Sequence, residues 1–97
     1  MNVLATESAP VAQAPEAVRG RAVAHGVRHT WFSEGLPGPV DVEVVDDGLV
    51  PEVVVTVPQF PRARVDHAVQ QAARSSLRPY HAAAARAVVT YCLRGAK

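Results

Sequence analysis

The stretch VDVEVVDDGLVPEVVVTVP, residues 40–58, decides the fold. Val40, Val42 and Val44 alternate with Asp41 and Glu43, the pattern of a half-buried strand. Asp46-Asp47-Gly48 is a turn signal, because Asp-Gly supplies positive φ at little steric cost. Pro51 restricts the approach to a second run, residues 53–57, in which four of five residues are valine, and Pro58 ends it. Such a run suits a strand covered on both faces or nearly so. Two strands around a seven-residue connection predict an antiparallel hairpin.

Downstream of the hairpin the period changes. Val65, Ala68, Val69, Ala72, Ala73, Ser76 and Leu77 follow the i, i+3, i+4, i+7 stripe of an amphipathic helix. Pro61 suits its first turn, Asp66 favours its dipole, and Pro79 bounds it. Residues 80–93 hold a run of alanines, the best helix former, so a second helix is expected there. Arg94 fits its last turn and Gly95 its stop.

Upstream, residues 21–33 (RAVAHGVRHTWFS) leave strand and helix both open. Val23, His25, Val27, His29 and Trp31 share a face at period two. Gly26 disfavours a helix, and Thr30, Trp31 and Phe32 favour a strand, so a strand is expected, with a bulge at Gly26. Residues 33–39 (SEGLPGP) form a turn by composition. Residues 1–20, rich in Ala, Pro, Gln and Ser, lack periodicity and are expected to be a flexible arm. The expected chain is thus the arm followed by one small α+β domain over residues 21–97. In that domain a short antiparallel sheet of about three strands is covered on one face by two C-terminal helices.

The chain has 97 residues, 48% of them hydrophobic and 20% charged, which is globular composition. A chain this short buries roughly 60–65% of its unfolded surface, so its core is thin. Net charge is +1 but unevenly placed. Residues 1–57 carry three arginines against eight carboxylates, a net of −5; residues 58–97 carry seven basic residues against Asp66, a net of +6. The single cysteine, Cys92, excludes a disulfide framework or a multi-cysteine zinc site. The opening residues lack the basic start and uninterrupted apolar core of a secretory signal, and no stretch has the ~18 apolar residues of a membrane span. A cytoplasmic protein without membrane contact is expected.

Little chemistry is legible. His25 and His29, on a strand, would lie ~13 Å apart, too far to share a metal. Cys92, at a helix C-terminus, would have its thiolate disfavoured by the dipole, and a free cysteine there reads as a small buried apolar residue. Asp46 and Asp47 read as turn formers, and no phosphate-cradling glycine motif is present. No catalytic, cofactor-binding or metal-ligating residue is therefore assigned, no cofactor is expected, and enzymatic activity is disfavoured.

The expectation that remains is a small non-catalytic binding or regulatory module that works by protein–protein association, as a homo-oligomer or a subunit. A thin core completes itself by association, and residues 53–57 would be an aggregation-prone edge unless paired. Candidate interface residues are Trp31, Phe32, Leu36, Val53 and Val55. Trp31 is also suited to the monomer core, which leaves Phe32 as the exposed aromatic of the pair. The alternative is a nucleic-acid-binding accessory protein that contacts phosphates through Arg62, Arg64, Arg74, Arg78 and Arg86 of the helical half.

Overall fold

A computed structural model describes residues 16–45 and 50–95. The Asp46-Asp47-Gly48 turn and residues 1–15 of the expected arm lie outside the described residues. The elements are α1 (Glu16–Ser33), β1 (Asp41–Val45), β2 (Glu52–Val57), α2 (Ala63–Leu77), a 3₁₀ turn (Ala84–Arg86) and β3 (Val88–Leu93). The strands form one sheet in the order β1-β2-β3. This is a small α+β fold, with a mixed sheet and one helix at each end of the hairpin.

The hairpin forms where the valine alternation places it. β1 and β2 pair antiparallel, with Val42 opposite Val55 and Val44 opposite Val53. Val53, Val55 and Val57 face the core, while Val54 and Thr56 are half-buried on the other face. α2 also forms where its stripe predicts, and it buries Val65, Val69, Ala73 and Leu77. Its first turn carries Asp66, as the dipole favours.

Residues 21–33 correct the sequence reading, because they are helix. Val23, Val27 and Trp31 are four apart, a spacing that fits a period-two strand face and an α-helical face equally well. The histidines between them separate the two cases: His25 and His29 are exposed, whereas one strand face would bury them with the valines. Gly26 is no bulge. It sits where α1 crosses α2, and a methyl group there would press on the Ser76 hydroxyl. Gly35, at φ 80°, ends the helix. Leu36 N–H donates to Trp31 O at 3.3 Å and Gly35 N–H to Phe32 O at 3.0 Å, the paired bonds of a Schellman stop. The turn that the composition of residues 33–39 marks is thus the C-terminal stop of a helix.

Residues 80–93 are the second correction. Pro79 is followed by turns, the alanines form only a 3₁₀ turn, and the chain then enters β3. Ala83, Ala84 and Ala87 are buried, so their small side chains serve close packing against α2 rather than helix formation. Val88, Val89, Thr90 and Tyr91 are good strand formers. β3 pairs with β2 in parallel, Val53 opposite Val89 and Val55 opposite Tyr91, so the sheet is mixed, not purely antiparallel. The parallel pairing follows from α2, which carries the chain back to the end of the sheet where β2 began.

A single cluster joins the layers. Val23, Val27 and Trp31 of α1 and the α2 stripe pack on Val53, Val55, Val57 and Val89 of the sheet and on Val40, which leads into β1. The helices therefore cover one sheet face together, but only α2 follows the hairpin; α1 precedes it.

Candidate functional site

The arginines singled out from the sequence do not form one track. Arg62 and Arg78 are exposed at opposite ends of α2, about 24 Å of helix apart. Arg64, also exposed, pairs with Glu34 at 3.2 Å. Arg74 is half-buried; its Nε donates to Ala87 O at 3.0 Å and its Nη2 to Gln70 Oε1 at 3.2 Å. Arg86 is exposed in the 3₁₀ turn, beyond the helix.

The residues expected at an interface divide. Trp31 is fully buried, and its Nε1 donates to Pro37 O at 2.7 Å. Val53 and Val55 are fully buried in β2. That strand is central and paired on both sides, so residues 53–57 are not an edge. Leu36 is partly buried against the core, and Phe32 is 49% exposed.

The true edges are β1 and β3, and they differ. β1 carries Asp41 and Glu43, exposed charges of the kind that blunt an edge. β3, VVTYCL, carries no charge or proline. Val88 N–H donates to Pro51 O at 3.2 Å and Arg94 N–H to Val57 O at 2.7 Å. The two-residue repeat of a parallel ladder turns the N–H groups of Thr90 and Cys92 the same way and leaves those of Val89, Tyr91 and Leu93 on the outer edge. Among the described residues no strand pairs there. Val88 and Leu93 at its two ends are 49% and 37% exposed. Cys92 is exposed on this strand, not buried at a helix end.

Sequence reasoning missed a second surface, because it depends on residues 21–33 being helical. Arg21, Ala24, His25, Arg28, His29 and Phe32 line an open groove of about 500 Å³ along α1. The imidazoles of His25 and His29 stack with centroids 6.4 Å apart, half the separation a strand would impose. Among the described residues no group of three or more His, Cys, Asp or Glu is placed to hold a metal ion. Arg28 Nε donates to Val40 O at 2.8 Å, which fixes the guanidinium beside the groove. No helix of the described residues is long and apolar enough to cross a membrane.

One polar network clasps β3 to α2. Tyr91 Oη donates to Asp66 Oδ1 at 2.8 Å, Gln70 Nε2 donates to the same carboxylate at 3.2 Å, and Arg74 continues the chain to Ala87 O. Burial raises the Tyr91 pKa well above the usual phenol range, and its hydrogen bond to Asp66 and the charge of that carboxylate add to the effect. The folded state thus holds the phenol proton more tightly than the unfolded state does. This contribution to stability is complete below about pH 10 and is lost as pH rises beyond it, by at most about 1.4 kcal/mol per pH unit. Urea titrations between pH 9 and 11 should show that fall in wild type and a shallower one in Tyr91→Phe; equal slopes would show that Tyr91 is not linked to folding.

No family model, no curated protein and no solved structure matches the chain, so function is argued from its own residues.

Proposed function

We propose that the chain is a small non-catalytic association module that works as a homo-oligomer, β3 of one copy adding antiparallel to β3 of a second. The observation that carries this reading is the uncharged outer edge of β3, with the outward N–H groups of Val89, Tyr91 and Leu93 and exposed Val88 and Leu93 beside them. Unpaired strand edges template the addition of another strand, and two identical edges satisfy each other under twofold symmetry. The edge of β1 carries Asp41, which pairs with Arg94, and Glu43, whose exposed charge disfavours the addition of a strand there.

Light scattering after size-exclusion chromatography tests this. Wild type is expected at twice 10.3 kDa. Leu93→Pro deletes an outward donor without touching a bond to β2, as proline on an edge strand allows. It should run at the mass of one copy while its circular dichroism is unchanged. A wild type that is monomeric at about 100 µM, far above the micromolar Kd of a modest specific complex, overturns the reading.

A further inference from the structure

The groove on α1 combines two features that the association reading leaves unused. The first is positive charge. Arg21, His25, Arg28 and His29 lie along one helix face, and among the described residues no carboxylate lines the groove. Arg28 is already oriented by its bond to Val40 O, so little side-chain entropy remains for a ligand to offset. Among the described residues no carboxylate pairs with either arginine, in contrast to Arg64, which Glu34 occupies. The second feature is Phe32 at the end of the groove, 49% exposed although phenylalanine is normally a core residue. Its ring rests on Gly38, where even a methyl group would come within 2.8 Å of Cε1 and Cζ. The glycine thus lets the loop after α1 brace the ring and leave part of it open.

We propose that this groove binds a nucleotide unit, its phosphate on Arg21 and Arg28 and its base against Phe32. Arginine forks match phosphate oxygens, imidazoles add donors, and aromatic rings stack any base. The eleven-residue separation of Arg21 and Phe32 spans about 16 Å of helix, so the phosphate contacts the groove with Arg28, nearer the ring, and Arg21 at its far side. The same unit occurs in free nucleotides and in single-stranded nucleic acid, and the two sources are separable by experiment.

Wild-type protein in its native oligomeric state is titrated with ATP by calorimetry and with fluorescein-labelled dT15 by anisotropy, both at low salt. ATP binding identifies a free nucleotide as the ligand, and binding of dT15 alone identifies a single strand; either supports the site only with the variants that follow. Arg21→Glu should weaken binding roughly tenfold or more, and Phe32→Ala roughly fivefold or more, with circular dichroism unchanged. Arg78→Glu, on α2, should have less effect than Arg21→Glu. No binding of either probe overturns the proposal. So does binding that both groove variants leave intact, or a loss on Arg21→Glu that Phe32→Ala does not share, since that describes a bare anion site without a base platform.

Discussion

Trp31→Ala should cost about 3–5 kcal/mol of folding stability, the usual range for removing a buried aromatic side chain. Trp31 is the largest fully buried side chain and lies in the cluster that joins α1 to the sheet. A chain of 97 residues has about 5–15 kcal/mol in total, so the variant will be marginal or unfolded at 25 °C. Two effects contribute: the cavity left in a thin core, and the loss of the indole bond to Pro37 O that ties the loop after α1 to the helix. Trp31→Phe separates them, because it keeps most of the packing and removes only the donor. Pro37 is exposed, so water can satisfy its carbonyl, and this variant should cost less than half as much. Urea denaturation of the three proteins gives the comparison. A Trp31→Ala variant within about 1 kcal/mol of wild type would show that α1 does not complete the core.

Lysine placed at two adjacent positions of β2 should give opposite results. Val55 is fully buried beneath the helices, between Val42 and Tyr91. A charge there has no partner, and Val55→Lys is expected to lose more than about 4 kcal/mol and fail to fold. Val54 faces the other way, between Glu43 and Thr90. A lysine there meets the Glu43 carboxylate across the strands, and Val54→Lys should stay within about 1 kcal/mol of wild type. Thermal melts of the two variants test which sheet face is the core. Equal destabilisation would mean that both faces are covered, as by a partner seated on the open face.

The parts of the fold legible in the sequence are those specified by neighbours in the chain. The valine alternation of residues 40–45 marks a strand without reference to anything distant, and the α2 stripe between Pro61 and Pro79 marks a helix in the same way. Residues 21–33 are harder, because spacings of four satisfy both periods. Exposed His25 and His29 and the Schellman stop at Gly35 distinguish them, and the glycine was readable as a helix end. Gly26, which weakens a helix, and the strand preference of Thr30, Trp31 and Phe32 point the other way in the sequence. In the fold that glycine serves the close approach of α1 to α2 at Ser76. The alanines of residues 82–87 misled in the opposite direction: high helix propensity was overridden by burial beneath α2.

The candidate surfaces were less legible than the elements. Phe32 was readable as the exposed member of its aromatic pair. Its companions Arg21, His25, Arg28 and His29 come together only once residues 21–33 are helical. The arginines of residues 62–86 looked like a cluster along the chain, yet Glu34, Gln70 and the Ala87 carbonyl engage two of them. Their common sign was visible; their occupation by local partners was not.

The sequence by itself determined the hairpin, α2 and the composition of a small globular α+β chain, because alternation, helical stripes and proline boundaries act over a few residues. Only the tertiary structure decided that β3 joins β2 in parallel, that β2 is central rather than an edge, and that α1 shares the helical layer with α2. These outcomes depend on which distant surfaces bury one another. Val55 lies beside Val42 and Tyr91 because the pairings of β1 and β3 put them there, and no local period encodes that choice.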